Sequence, residues 1–227
     1  MSYAPDELLE LFRKEVDDLD TSDPLWTDTE CYAYMDDAQK EFARLTDCFA
    51  DTGTTPITAD DAWVVINPRY TRIRGARLAS TGRKVFPVRY DEVEQAFLED
   101  DYGLQSLSAN WEALTGTPRY LVTDMISDKG RLVGIPADDD TLNLVIFRLP
   151  LTDIEDDGSE FEVTDLRHQR AFIHWMKKRA YEKHDTQTLN TKLSRDSELQ
   201  FRSYAEEAKH QYRRLRMKAG TIRYGGL

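Results

Sequence analysis

Four histidines, several clusters of carboxylates and two sets of arginines are the residues of this chain whose types could do chemistry. His168 and His174 lie six apart, and His184 and His210 stand alone. Metal ligands on one helical face need spacings of three or four, so these histidines do not read as a metal site. Asp153-x-Glu155-x-Asp157-Gly158 has the opening of a calcium loop, but the twelfth position, where a bidentate Glu is required, is Thr164. A strand also stands where the loop needs a preceding helix, so the segment reads as a solvated acidic turn, as does Asp138-Asp139-Asp140. The neighbouring acids Asp36-Asp37 and Asp60-Asp61 point in different directions on any helix or strand and suit capping and solubility. There is no Gly-x-Ser-x-Gly elbow, no Walker lysine loop and no dinucleotide fingerprint. The expectation is a protein that is not an enzyme and needs neither cofactor nor metal.

The arginines are more informative. Arg72, Arg74 and Arg77 sit in the alternating segment Tyr70 to Leu78, where a period of two places Arg72 and Arg74 on one face and Ile73 and Gly75 on the other. Such a strand is either half exposed in a small sheet or a basic stripe that contacts an acidic neighbour, such as the acidic body of an adjacent subunit. From Arg167 to Leu227 the chain carries 15 Lys+Arg against 6 Asp+Glu, leaving 15 of the 30 basic and 36 of the 42 acidic residues to the first 166 positions. An acidic body followed by a basic arm means that the two ends meet different partners. The arm can be a solvated helix face, a nucleic-acid binder or a segment that enters a groove on a partner protein. Its aromatics have core-like spacing rather than that of exposed stacking platforms, which favours the protein partner. Arg213, Arg214 and Arg216, with the apolar-aromatic tail Ile222, Arg223, Tyr224 and Leu227 and its flexible glycines, are the candidate docking residues. A net charge of −12 disfavours general binding to DNA and suits either solubility or a duct that DNA slides through without sticking.

These groups must be held by folded elements. The chain has a hydrophobic fraction of 40% with four Trp and eleven Tyr, enough for one good core with appendages. No stretch approaches the ~18 apolar residues that cross a bilayer, and the acidic start MSYAPDELLELF is unlike a signal peptide, so synthesis in a cytoplasm is expected. Cys31 and Cys48, ~26 Å apart if on one helix, are expected as buried thiols. Leu8, Phe12, Val16 and Leu19 predict a first helix between Pro5 and Asp20. Thr27 or Asp28 caps a second, whose stripe Cys31, Met35, Ala38, Phe42, Leu45 and Phe49 should end near Asp51–Gly53 at Thr-Gly-Thr-Thr-Pro. From Ala62 to about Pro150 the pattern is β, with short runs at 62–66, 70–78 and 84–88, a helical turn at 91–97, and a three-strand antiparallel meander at 118–125, 131–135 and 142–149. Asp165 or Thr164 caps a further helix. A long polar last helix runs from about Ser194 to Ala219, with Leu199, Tyr204, Ala208, Tyr212 and Leu215 as its narrow apolar stripe.

The predicted class is α+β. Helices from the N- and C-terminal parts form a bundle with an inserted antiparallel β-rich lobe, and the segments are 1–61, 62–152, 153–219 and a docking tail at 220–227. In this order the chain carries Leu25-Trp26-Thr27-Asp28-x-Glu30, Tyr34-Met35-Asp36-Asp37-Ala38-Gln39-x-Glu41, Thr117-Pro118-Arg119-Tyr120, Gly130-Arg131-Leu132, Ile135-Pro136 and Arg148-Leu149-Pro150, then two helices rich in Lys, Arg, Tyr and Ala. From about Trp26 to Tyr212 this resembles the head-to-tail adaptor (connector) proteins of tailed bacteriophages, particularly the short-tailed, podovirus-type ones. The resemblance implies a virion structural protein at the head–tail junction, made in a bacterial host cytoplasm. It would form a ring, commonly of twelve copies, between the portal protein and the tail nozzle, with double-stranded DNA passing through its lumen during genome ejection without specific binding. The C-terminal arm would reach into the portal, and the β lobe would meet the next tail protein. The alternative is a nucleic-acid-binding regulatory protein that uses the basic C-terminal helices.

Overall fold

A computed structural model describes residues 2–20, 22–93, 111–183 and 188–216. The chain is α+β and divides into two units, Met1–Cys48 with Leu149–Leu227, and Phe49–Arg148.

The first unit is helical. Helix α1 (Pro5–Val16) opens with Pro at its first position and with Asp6 and Glu7 in its first turn, and Glu7 reaches back to accept from the Ala4 N–H at 3.0 Å. It stops at Asp17, whose left-handed φ of 59° ends the helical run, so Leu19, expected on the buried stripe, is exposed. Helix α2 (Asp28–Thr46) begins as the sequence predicts: the Thr27 hydroxyl accepts from the Glu30 N–H while the Glu30 carboxylate accepts from the Thr27 N–H. Cys31, Met35, Ala38 and Phe42 are fully buried, and the helix ends on a second left-handed aspartate, Asp47, earlier than expected. Cys31 and Cys48 are free thiols, and burial pushes the Cys31 thiol up to about 12.

Helix α3 (Leu166–Glu182), capped by the Asp165 carboxylate, packs against α1, α2 and the last helix α4 (Thr191–Arg216). It therefore buries more than one side: Phe172 meets Phe42 edge-on and Phe161 at a tilt, at 5.6 Å each, and the Gln169 amide donates to the Val163 carbonyl at 2.7 Å. Helices from both ends of the chain thus share one core. On α4 the buried stripe matches the expected one at Ala208 and, half-buried against His168, at Tyr212, while Leu199, Tyr204 and Leu215 are exposed and the helix docks also through Ser194, Ser197, Phe201 and Ala205. Four small residues let α4 lie close to α3, and one large ring, Phe201 against Trp175 at 4.9 Å, fills the gap. Burying that ring contributes about 1.5–3 kcal/mol.

The second unit is a seven-stranded sheet: β1 (Ala50–Ile57), β2 (Trp63–Val65), β3 (Tyr70–Leu78), β4 (Lys84–Val88), β5 (Tyr120–Ile126), β6 (Lys129–Val133) and β7 (Asp140–Arg148), in the order β1-β7-β3-β4-β5-β6-β2. Five pairings are antiparallel and one, β4–β5, is parallel, a departure from an all-antiparallel lobe. The sheet curls until its two edge strands approach, and the Thr55 hydroxyl on β1 donates to the Val65 carbonyl on β2 at 2.7 Å, giving a nearly closed barrel. Ile57, Leu78, Leu121, Leu132, Leu142, Leu144 and Ile146 fill the interior. Strand β1 was not expected. Thr-Gly-Thr-Thr-Pro lies inside it rather than breaking the chain, and Gly53 is there because a Cβ would collide with the Tyr70 hydroxyl. The expected meander is only half present. Strands β5 and β6 form a hairpin over Ser127-Asp128, but β7 leaves β6 to pair between β1 and β3. The helical turn expected at 91–97 is described only as far as residue 93.

Candidate functional site

The arginine strand carries a local device that simple alternation misses. Along β3–β7, Arg72 pairs with Phe147, Ile73 with Ile146, Gly75 with Val145, Ala76 with Leu144 and Arg77 with Asn143. The ladder slips twice, so Thr71 and Arg74 are each one residue more than the partner strand supplies. The extra residue at Arg74 restores the phase. Ile73, Ala76 and Leu78 point into the barrel, while Arg72, Arg74 and Arg77 are all exposed outside, although 74 and 77 are an odd number apart. Gly75, expected on the Ile73 side, instead faces out opposite Val145. Lys84, paired with Arg77, adds a fourth cation.

From the register, the outer face also presents Asn143 and Val145 from β7, Thr52, Thr54 and Pro56 from β1, and the exposed Phe86 beyond Lys84 on β4. The Arg72 guanidinium lies 4.8 Å above the Phe147 ring, and Arg77 donates to the Gly82 carbonyl at 3.2 Å.

The basic arm is distributed differently from expectation. Arg213 and Arg214 are exposed at the end of α4. Arg216 turns inward, donating to the Asp47 carbonyl at the C-terminus of α2 and lying 5.8 Å from the Tyr212 ring. Next to it the Tyr212 hydroxyl and the His168 Nδ1 are 3.1 Å apart, and burial pushes Tyr212 up to about 12. Arg216 is thus placed to hold α4 to α2. Further up the helix Arg202 is bonded to Glu198 and Lys209 to Glu206, so part of the arm's positive charge is met within the helix. Ile222, Arg223, Tyr224 and Leu227 lie outside the described residues.

Acidic residues from separate segments of the helical unit act on Tyr32. Burial, and then the carboxylates of Asp157, Asp28, Asp6 and Asp156, push the half-buried Tyr32 hydroxyl above its ordinary value. Those four aspartates come from the start of α1, the start of α2 and the connector before α3, and all four are exposed. Sequence inspection had given Asp157 only the role of a solvated turn and had no means of placing Asp6 and Asp28 beside it. Lys84 was passed over because it belongs to a different strand from the arginines.

Among the described residues no group of three or more His, Cys, Asp or Glu side chains gathers as a metal site, and no helix is long and apolar enough to cross a membrane. The chain matches the family described as SU10 adaptor protein over residues 1–223, and it belongs to that family. It is therefore a phage adaptor, a structural component of the virion, and membership implies a role without catalysis. No curated protein matches the chain.

Proposed function

We propose that this adaptor forms a ring, dodecameric in the common case, between the portal protein and the tail nozzle, with double-stranded DNA passing through the lumen. The family match across residues 1–223 is the observation that carries this reading. The division of charge supports it. The body holds 36 of the 42 acidic residues and would let DNA slide past, while the basic end is reserved for a protein partner. The portal-facing end is Arg213 and Arg214 with the tail at 220–227, including Ile222, Arg223, Tyr224 and Leu227. Arg216 secures the helix that presents them. The β unit, on this reading, meets the next tail component or the neighbouring copy.

The test is the native mass of the protein mixed with its cognate portal ring. A discrete complex holding a full ring of copies is expected, and it is expected to be lost when residues 220–227 are removed. Two proteins that stay separate at micromolar concentration would overturn the reading. Duplex DNA binding that weakens steeply with added salt would favour the regulator instead.

A further inference from the structure

Resting on the reading that the basic end meets the portal protein, we infer that the cleft between α3 and α4 receives one acidic side chain of that partner. Phe201 meets Trp175 and Tyr212 meets His168, so the two helices run antiparallel. Between those ring contacts, at Ala208, α4 has only a methyl group to offer, and a cleft of about 280 Å³ is left open. That is below the ~300–1,000 Å³ of small-molecule sites and has room for a single side chain. Arg167 and Arg170 edge it from α3, and Tyr204, Glu207 and Gln211 from α4. Two guanidiniums thus oppose one carboxylate in a protein of net charge −12. Arg167 lies 3.6 Å from Asp165, but Arg170 is exposed and has no hydrogen bond or ion pair among the described residues. A guanidinium fork at the edge of such a recess suits a carboxylate.

The walls are already in place. His168, buried among the lining residues, lies 3.1 Å from the Tyr212 hydroxyl, and the Tyr204 ring stacks on His174 at 5.4 Å and 16°. Little ordering remains for binding to supply. The cleft also continues the surface assigned to the portal. Tyr204, Glu207, Gln211 and Arg214 recur at three, four and three along α4, which is one face of the helix. Leu215, four beyond Gln211, is 82% exposed, so it and Tyr204 flank the cleft with apolar surface. An acidic anchor held by arginine, steered by Arg214 and bordered by these two side chains has the composition of an interface hot spot.

The experiment titrates full-length protein onto its cognate portal ring and reads the number of copies bound by native mass. Arg170→Glu is expected to raise the concentration for half-occupancy by about tenfold or more, with an unchanged melting temperature. Glu207→Gln removes the one carboxylate lining the cleft among the described residues and is expected to lower that concentration about threefold, a gain that misfolding does not produce. Arg195→Glu, exposed on α4 and outside the cleft lining, is the charge control and should change it less than about twofold. Equal losses at Arg195 and Arg170 assign the effect to overall charge and overturn the inference. An Arg170→Glu variant that binds like wild type, or a Glu207→Gln variant that does not tighten, also overturns it, and a full ring of wild-type copies then leaves the ring reading standing. Wild type that never joins the portal ring overturns both. Arg170→Glu protein that binds the portal normally as single copies but no longer fills the ring assigns the cleft to a second copy and overturns the inference.

Discussion

The helical unit and the outer face of strand β3 use arginine in opposite ways. In the helical unit cations join elements together. Arg13 bonds the buried Asp18 at 2.5 Å, the Asp28 carboxylate at 2.7 Å and the Trp26 carbonyl at 2.9 Å, tying the end of α1 to the start of α2. Lys40 holds Asp36 and Asp153, Lys183 holds Glu30, and Arg179 holds Asp37. In the β unit Arg72, Arg74 and Arg77 stand on the outside of a barrel whose stability comes from its aliphatic filling. Charge in the first unit therefore joins helices to one another, while the cations on that face of the second lie outside its core. The same residue type should give opposite mutational phenotypes in the two places.

The largest effect should come from the packing that the helical charges frame. Phe201→Ala empties the fully buried ring of α4 that packs on Trp175 and Phe42, and is expected to cost about 3–5 kcal/mol in denaturant unfolding. Next comes the direct comparison. Arg13→Met leaves Asp18, 3% exposed, without its cation and should cost roughly 3 kcal/mol, whereas Arg77→Ser on the sheet should change stability by no more than about 0.5 kcal/mol. Equal losses in the two variants would break the distinction.

Acid sharpens it further. Burial lowers the proton affinity of both His168 and His174, so below their ordinary value near 6.5 the unfolded chain binds protons that the folded helical unit refuses. Stability contributed by these groups is complete above pH ~6.5 and is lost as pH falls through the window down to their folded values. Thermal melts should decline across that window, and His174→Gln should flatten the decline. The smallest effect is at a helix end. Asp17→Gly relieves a left-handed residue and removes a negative charge at the C-terminus of α1, and a gain of about 0.5–1 kcal/mol is expected.

What could be read from the sequence follows the same division. The reciprocal Thr27–Glu30 cap and the stripe Cys31, Met35, Ala38 and Phe42 were legible because capping and period act within a few residues. The stripe of α4 was legible only at Ala208 and Tyr212, since much of its contact is made of serines and alanines and the conspicuous Leu199 and Leu215 are exposed. Strand β1 was hidden by turn-like residues that are needed for a close approach to Tyr70, and the parallel β4–β5 pairing is a long-range choice with no local signal. The basic strand was visible as residues. Its common face was not, because a bulge shifts phase by an amount that alternation cannot anticipate.

The β unit leaves the helical chain at Phe49 and returns at Arg148, and these two residues are already partners. The Arg148 N–H donates to the Phe49 carbonyl at 3.1 Å, and the guanidinium lies 5.3 Å from the Phe49 ring. A hundred residues thus begin and end at one stitched pair, which makes the barrel a cassette. An insert joined through a single seam can change in length while the helical unit keeps its own core.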